Sequence, residues 1–300
     1  MLRAWLITAC LVAWQNVAWQ NGVVAADFEV GDRVFWKDGT RASNGAEEIS
    51  IEGFAFPSTV RDVQNDFLFL GAGWIKKDDA LSVDEAFEYF SERIKANPNE
   101  PAYWNNRGRV WDERKDFDKA IADYSEAAKL APEDATTLNN LGTAYQSKSD
   151  NQQAIKHFGD ALKADPNNAT VYYNRGRANQ YSGNYAAAAQ DYADSIRVNP
   201  SYLPGYNNAA WLAATCPDEK YRNAKLALEL AQQAAEMMQG KVWEVLDTLA
   251  AAQAENGDYA AAVKISEQAI TLGDDAAIHG GVRDRMTLYQ AGKPYRMPAD

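Results

Sequence analysis

Four prolines recur at a constant interval along this chain of 300 residues. The interval is 34 residues, and it separates Pro98, Pro132, Pro166 and Pro200. A catalytic site requires no such regularity, whereas a stack of helix pairs does, because each pair uses the same number of residues before the next begins. Proline lacks an amide N–H and disfavours helix in the residue before it, so each proline is suited to end a pair. The interval therefore predicts a helical repeat array.

Small and aromatic residues follow the same period. Each of three successive units contains a glycine, an alanine twelve residues later and an aromatic residue four positions after that. These residues are Gly108, Ala120 and Tyr124, then Gly142, Ala154 and Phe158, then Gly176, Ala188 and Tyr192. Small residues let two antiparallel helices approach closely, and the aromatic ring fills the space beside them. We therefore expect two closely packed helices in each unit.

This pattern resembles the tetratricopeptide repeat family, whose consensus reads Trp-x2-Leu-Gly-x2-Tyr, then Ala-x3-Phe and then Pro. The units 101–134, 135–168 and 169–202 carry the match, although Asn179 replaces the usual aromatic residue in the third. The resemblance implies a mainly α-helical fold, a solenoid of helix pairs wound into a right-handed superhelix. It also implies that the ligand is a protein or peptide.

The sequence on either side of these units is less regular, as the ends of a repeat array are expected to be. We place the whole solenoid at residues 82–300. Its outer segments are 82–98 (a lone helix), 203–239 (an irregular pair), 243–274 (a pair without its proline) and 276–296 (a polar end segment). The irregular pair needs extra residues around Pro217 to remain in register, which indicates a lengthened turn.

Residues 1–26 have the outline of a secretory signal peptide. Arg3 precedes an apolar run of 11 residues, 4–14, and small residues end the segment at Ala26. The run is too short to cross a bilayer, so we expect no integral membrane segment after cleavage. Two alternatives are a buried helix of the domain and lipidation at Cys10. A signal peptide predicts an exported protein that is periplasmic, attached to the cell envelope or secreted.

Residues 27–81 change from helical periodicity to short β-rich runs separated by turn residues such as Asp38-Gly39. Residues 59–78 resemble the second half of bacterial Src-homology-3-like domains, which implies a small five-stranded β-barrel. Such domains often hold peptides in aromatic grooves, whereas the alternative is that the aromatic residues here build the core. These residues are Phe35, Trp36, Phe67 and Trp74. The order of signal, barrel and repeats resembles exported bacterial proteins, notably those of planctomycetes.

The chain is acidic, with 30 basic and 42 acidic side chains and a net charge of −12, or −13 once Arg3 is removed with the signal. Nucleic-acid binding requires clustered lysine and arginine side chains that contact phosphates, so we expect no nucleic-acid partner. Cleavage of the signal also leaves Cys216 as the sole cysteine, which excludes an internal disulfide.

A search for catalytic or metal-binding patterns finds none. The histidines are His157 and His279, and with Cys216 they have no metal-ligand spacing of the zinc kind. His279-Gly280-Gly281 resembles the oxyanion-hole motif of esterases, but the chain has no Gly-x-Ser-x-Gly elbow for it to serve. We therefore expect no enzyme, no metal and no cofactor.

The sixth position of four successive units is asparagine: Asn106, Asn140, Asn174 and Asn208. In the family this position lies on the first helix of each pair and faces the concave surface. The array resembles the asparagine ladder of O-linked N-acetylglucosamine transferases. A side-chain amide has both a donor and an acceptor, so it can bind a peptide backbone without reading its side chains. The alternative is that asparagine is merely common at this position and caps or hydrates the helix.

Charged and aromatic residues flank this predicted ladder. Arg109 and Arg177 lie one turn beyond it on the same helix face, and Tyr173 and Trp211 supply aromatic rings. We expect the strip to be locally positive despite the acidic chain, because the acidic residues fall mostly on second helices. The predicted ligand is an extended peptide with an acidic group near Arg109 or Arg177.

Arginine replaces the usual leucine at Arg107 and Arg175, and an aspartate follows each arginine 16 residues later, at Asp123 and Asp191. The middle unit has leucine and histidine at the two corresponding positions. Arginine and aspartate thus occur together or not at all. We predict that each arginine pairs with its aspartate between the two helices of one unit.

The sequence favours an exported, non-enzymatic scaffold or adaptor that binds proteins or extended peptides in the concave groove. The alternative is a cell-envelope structural or assembly protein whose barrel contacts wall material. The two differ in whether the concave face is open or filled by another copy. Because each repeat contacts only its neighbours, we also expect residues 27–81 to be removable without unfolding residues 82–300.

Overall fold

The computed structural model describes residues 28–45, 47–51, 56–272 and 276–298. The predicted signal peptide and its lipidation candidate Cys10 lie outside the described residues. The chain divides into two compact units, residues 1–131 and 132–300. The division falls inside the predicted solenoid rather than at its start.

Eight short strands occupy the described residues before the first α-helix. They are β1 (Arg33–Trp36), β2 (Ala42–Ser43), β3 (Glu48–Ile49), β4 (Ser58–Thr59), β5 (Asp62–Gln64), β6 (Phe67–Phe69), β7 (Trp74–Lys76) and β8 (Ala80–Leu81). The antiparallel strands form two sheets, in the orders β4-β1-β8 and β3-β2-β7-β6-β5. The predicted five-stranded closed barrel is therefore wrong. Each strand has only one to three paired positions with a neighbour, too few to carry one continuous sheet around a barrel.

Alternation along the strands directs one face of the larger sheet into a core. Leu68 of β6 and Ile75 of β7 lie opposite each other, and both are buried. They pack with Val34, Ala42 and Val60 in one apolar cluster. This cluster holds the strands together, because sheets with such short ladders depend on burial of a common face.

Three helices complete the first unit. They are α1 (Val83–Ala96), α2 (Pro101–Glu113) and α3 (Phe117–Leu130). Ser82 and Glu85 form a capping box at the start of α1. The Asp116 side chain accepts from the Lys119 backbone N–H at the start of α3.

The sheets and the helices of the first unit share a core. Phe35 of β1 and Leu81 of β8 pack with Ala86, Phe90 and Val110 from α1 and α2, and all five are buried. The Phe35 and Phe90 rings meet edge to face, with centroids 6.4 Å apart. The apolar packing thus continues across the predicted boundary at residue 81.

Deletion of residues 27–81 should therefore unfold α1 and α2, because it exposes their apolar faces. Phe35 alone buries a whole aromatic side chain, and losing such a group typically costs about 3–5 kcal/mol. Hydrogen exchange with mass-spectrometric detection should show loss of protection in α1 and α2, while residues 132–298 keep theirs. Unchanged protection of α1 would instead support the expectation from the repeat pattern, that residues 27–81 can be removed without unfolding residues 82–300.

Nine helices lie in the described part of the second unit. They are α4 (Ala135–Ser147), α5 (Asn151–Ala164), α6 (Ala169–Tyr181), α7 (Tyr185–Val198), α8 (Leu203–Thr215), α9 (Ala224–Met237), α10 (Trp243–Glu255), α11 (Tyr259–Leu272) and α12 (Ala276–Gln290). The helices pack as successive pairs, α4 with α5, α6 with α7, α8 with α9 and α10 with α11. The connection between α8 and α9 is longer than the others, since it contains Pro217 and a one-turn 3-10 helix, Glu219–Tyr221.

The expected close contact between paired helices is present in all three regular units. A Cβ atom added to the glycine of the first helix would lie inside the van der Waals surface of the aromatic ring on the second. The distances would be 2.6 Å for Gly108 and Tyr124, 2.7 Å for Gly142 and Phe158, and 2.8 Å for Gly176 and Tyr192. Only glycine permits this separation between the two helices.

The two predicted arginine–aspartate pairs are confirmed. Arg107 donates through Nε and Nη2 to the Asp123 carboxylate at 2.7 and 2.8 Å. Arg175 donates through the same two nitrogens to Asp191, at 3.0 and 2.6 Å. The aspartate side chains are only 7% and 4% exposed. Such two-pronged contacts are the strong form of this ion pair.

Asn179 belongs to the second of these pairs. Its Nδ2 donates to the Asp191 carboxylate at 2.9 Å, so the departure from the family's aromatic residue supplies a further donor. In the middle unit Tyr145 takes the place of Asn179, and its ring stacks on His157 with centroids 5.3 Å apart. Leu141 stands where Arg175 does in the next unit. The arginine and aspartate positions therefore change together, whereas the third position is Trp111 in the first unit, which also has the ion pair.

A third arginine–aspartate pair joins α10 and α12. Arg285 donates to both carboxylate oxygens of Asp247, at 3.0 and 2.7 Å. Burial raises the pKa of Asp247, and the guanidinium of Arg285 counteracts that rise. The repeat pattern does not predict this pair, because its separation of 38 residues differs from the repeat period.

Replacing Arg175 with leucine should destabilise the second unit by about 3–5 kcal/mol, because Asp191 would remain as an uncompensated buried charge. Urea unfolding measures the change. The matched control is the triple variant Arg175→Leu, Asn179→Tyr, Asp191→His, which reproduces the side chains of the middle unit and should recover most of the loss. Equal stability of the parent and the single variant would contradict the assignment.

Candidate functional site

Two of the predicted groove residues lie on α2 and face non-helical residues of the same unit. Arg109 Nη1 donates to the backbone carbonyl of Phe56 at 2.6 Å, and its guanidinium lies 5.6 Å from the centre of the Phe56 ring. Asn106 lines a cavity of about 130 Å³ together with Trp36 and Phe56. The first unit therefore uses Arg109 for an internal contact, which leaves it less available to an acidic ligand than the sequence suggested.

Burial also affects the carboxyl group of Asp112, one turn beyond Arg109 on α2. Burial raises the pKa of Asp112 to about 6, although the Tyr124 hydroxyl donates to it and Arg109 lies nearby. The second carboxylate oxygen of Asp112 is buried and accepts no hydrogen bond from the described residues. The ionised form is thus disfavoured in the folded state.

This raised pKa predicts how the stability of the first unit depends on pH. Because the folded pKa lies above the unfolded value of 3.8, the contribution of Asp112 is most favourable below pH 4 and is lost as pH rises through about 6. Asp112→Asn should remove this dependence and stabilise the unit at pH 7.5 by roughly 2–3 kcal/mol. Thermal unfolding between pH 4.5 and 7.5 measures it, with exposed Glu88→Gln as control. A parallel pH profile in parent and Asp112→Asn would contradict it.

The remaining ladder asparagines lie half-buried on the first helices of three pairs in the second unit: Asn140 on α4, Asn174 on α6 and Asn208 on α8. Asn174 Nδ2 donates to Asn139 Oδ1 at 3.0 Å, which links α6 to α4. Asn208 hydrogen-bonds the Tyr192 hydroxyl. The Asn174 and Asn208 amides are thus held by neighbours, so their orientations are set before any ligand arrives.

Tyr173 and Arg177 lie beside these amides on α6. The Arg177 guanidinium is 5.8 Å from the ring centre of Tyr173 and 5.8 Å from that of Tyr181. Both Tyr173 and Arg177 are half-buried. We call Asn140, Tyr173, Asn174, Arg177 and Asn208 the inner strip. It combines amides, an aromatic ring and a cation.

Trp211, the last predicted groove residue, is contacted by the C-terminal residues of the chain. Residues 293–298, which we call the C-terminal segment, follow α12 and contain neither helix nor strand. The Tyr295 ring lies 5.8 Å from that of Trp211, and the Met297 backbone N–H donates to the carbonyl of Thr215 at 2.9 Å. The segment thus crosses the C-terminal end of α8 as an extended peptide.

The C-terminal segment also makes an ion pair in this surface. An Arg296 guanidinium nitrogen lies 2.7 Å from a carboxylate oxygen of Glu255, the last residue of α10. Glu255 also pairs with Arg222 at 3.3 Å, and its side chain is only 12% exposed. The sequence places Arg296 at the end of the predicted polar end segment, residues 276–296, and predicts no contact for it. The available signal was the pair of prolines, Pro294 and Pro298, beyond the last helical pattern.

The other residues considered for chemistry lack the required surroundings. Cys216 is buried and burial raises the pKa of its thiol, which disfavours the reactive thiolate. His157 stacks on Tyr145, and burial lowers its pKa. Within the described residues there is no group of three His, Cys, Asp or Glu side chains that could hold a metal ion. No helix in the described ranges has the length and apolar character to cross a membrane.

Comparison with known families agrees with this helical geometry. Residues 133–201 match the family profile described as Tetratricopeptide repeat, and residues 113–149 match one described as TPR repeat. Residues 113–201 are thus similar to tetratricopeptide repeats. No curated protein sequence matches it.

Solved structures share the tetratricopeptide fold at low sequence identity. A tetratricopeptide repeat protein from Parabacteroides merdae ATCC 43184 has a TM-score of 0.58 at 21% identity, over 70% of this chain and 81% of that one. YrrB, described as a TPR protein with an unusual peptide-binding site, has a TM-score of 0.52 at 17% identity, over 66% and 99%. Yeast Tom70 has a TM-score of 0.52 at 16% identity, over 69% and 42%. At these identities the likeness shows the fold alone.

Proposed function

We propose that this protein is a non-enzymatic scaffold that binds an extended peptide along the first helices of its second unit. The observation that carries the proposal is the C-terminal segment, which lies across α8 and α10 as an extended peptide. The surface therefore already holds a peptide through backbone, aromatic and charged contacts. These are the three kinds of contact that an external peptide would need.

The inner strip supplies further groups next to the surface that the C-terminal segment occupies. Met297 packs in the same apolar cluster as Tyr173, and Gln180 of α6 donates to the Met297 sulfur at 3.3 Å. Arg177 lies one turn before Gln180 on the same helix. A peptide that binds the inner strip can thus continue the path of the segment. Its backbone would meet the asparagine amides, and an acidic side chain would meet Arg177.

Two further parts of the proposal rest on the sequence. The signal-peptide outline of residues 1–26 supports export to the periplasm, the cell envelope or the medium. The net negative charge supports a protein or peptide partner over nucleic acid, since phosphate contacts need clustered basic groups. YrrB, whose description names a peptide-binding site, offers a precedent for this fold.

A displayed library of random peptides, selected on the intact chain, tests the proposal. The double variant Asn140→Ala, Asn174→Ala should weaken the selected peptides, by roughly 0.5–1.5 kcal/mol for each lost hydrogen bond, while circular dichroism stays unchanged. Arg177→Glu should weaken acidic peptides most, and more strongly at low salt.

Lys156→Glu is the matched control for the Arg177 charge reversal, because Lys156 is exposed on α5. It should leave peptide affinity unchanged. If the selected peptides bind the asparagine and arginine variants as tightly as the parent, the inner strip is not the binding surface. A library that yields no binder on the intact chain would likewise count against the proposal.

A further inference from the structure

We propose that the C-terminal segment is an exchangeable internal ligand, and that the surface beneath it binds a partner peptide carrying an aromatic residue, an arginine and a methionine in succession. This inference rests on the proposed peptide-binding function and specifies its ligand. The segment, with Tyr295, Arg296 and Met297, displays the chemistry that the surface recognises. Three neighbouring subsites carry the argument.

The subsite for the arginine is built to hold a cation. Glu255 supplies a carboxylate at 2.7 Å from Arg296, and the backbone carbonyl of Ala214 accepts from the same guanidinium at 3.3 Å. Ala214 lies at the end of α8 and Glu255 at the end of α10. The last carbonyls of a helix lack partners within it and carry partial negative charge. Both helix ends therefore favour a positive group here.

The subsite for the aromatic residue is held in shape by other residues. The Arg285 guanidinium lies 5.4 Å from the ring centre of Trp211 and 5.5 Å from that of Tyr295. It therefore contacts both aromatic rings. Asp247 fixes Arg285 through two hydrogen bonds. An aromatic side chain from another peptide would find Trp211 and Arg285 already in place.

The subsite for the methionine is apolar with one polar contact. Met297 packs against Leu212, Cys216 and Tyr192, all buried. The amide of Gln180 donates to the Met297 sulfur. A flexible thioether suits such an irregular apolar site. The order of the three subsites defines the order of the three side chains.

The contacts of the segment are those of a bound peptide rather than of a core element. Pro294, Tyr295, Arg296 and Met297 are all half-buried, and Pro298 is exposed. The prolines restrict the backbone before binding, which lowers the entropy lost when the segment docks. Peripheral burial with a stiff backbone favours reversible docking.

Departure of the segment leaves no buried charge without a partner. Glu255 keeps Arg222 at 3.3 Å, and Arg285 keeps Asp247. The situation differs from that of Asp191, which depends on Arg175 for its compensation. The turn at Gly292, which has a positive φ of 68°, lets the chain reverse after α12 and gives the segment a hinge. The surface can thus open while the helices stay paired.

The test uses the full chain with a release variant, Tyr295→Ala with Arg296→Glu, and a fluorescein-labelled peptide of residues 292–298 as probe. Anisotropy should show saturable binding to the release variant and at least tenfold weaker binding to the parent. The reason is that the attached segment competes at an effective concentration on the order of millimolar. Equal affinity for both proteins would overturn the proposal.

Specificity is tested with one substitution in the protein and one in the probe. Glu255→Gln in the release variant should lower probe affinity tenfold or more, whereas Glu236→Gln, at an exposed position of α9, should not. A probe with glutamate in place of its arginine should bind weakly. If Glu255→Gln leaves the affinity unchanged, the arginine subsite is not used and the proposed ligand chemistry is wrong.

Hydrogen exchange on the parent keeps the proposal testable should the release variant fail to fold. The Met297 amide should exchange through a local opening that leaves the amides of α8 and α10 protected. Exchange of Met297 only together with those helices would make the segment a fixed part of the fold.

If the probe fails to bind the release variant while library peptides still need the inner strip, this inference fails and the proposed function stands. If neither the probe nor any library peptide binds, both this inference and the proposed function are wrong.

Discussion

The contact between a glycine on one helix and an aromatic ring on the next determines the rest of each regular repeat. With no Cβ, Gly142 lets Phe158 lie against the backbone of α4, and Gly176 does the same for Tyr192 and α6. The ring fills the space between the helices, and the opposite face of the first helix is left for other residues. Asn140, Tyr173, Asn174 and Arg177 of the inner strip lie on these two helices. The close contact thus supports both the packing and the surface.

The glycine–ring contact is the same in the three regular units, whereas the position of Asp191 and His157 differs between them. In the third regular unit Asp191 is held by Arg175 and Asn179, whereas in the second unit His157 stacks on an aromatic ring. A buried carboxylate requires donors, and a stacked histidine requires a flat neighbour. Removing the arginine while keeping the aspartate would leave a buried carboxylate without its charged partner. That physical coupling explains why arginine and aspartate occur together or not at all in the three regular units.

The helices and the arginine–aspartate pairs could be predicted because they follow from local spacing. The two sheets could not, since short strands such as Ser58–Thr59 carry little periodic signal and their pairing depends on distant residues. The shared core around Phe35 was missed for the same reason. The ladder positions were predictable, but the partners of Asn208 and Arg109 were not, because non-repeating contacts decide them.

In each of the two units, a non-helical segment covers part of the surface formed by the first helices of the repeats. In the first unit the backbone of Phe56 accepts from Arg109, and in the second the C-terminal segment lies against Trp211. A repeat surface with unoccupied aromatic and cationic groups would attract unrelated partners, and an internal occupant raises the affinity that a partner must reach. Tyr173 and Arg177 lie just beyond the segment, beside Gln180, which contacts Met297. A partner peptide that binds first at the inner strip would then displace the C-terminal segment one residue at a time. The specificity of binding would thus be linked to release of the chain's own segment.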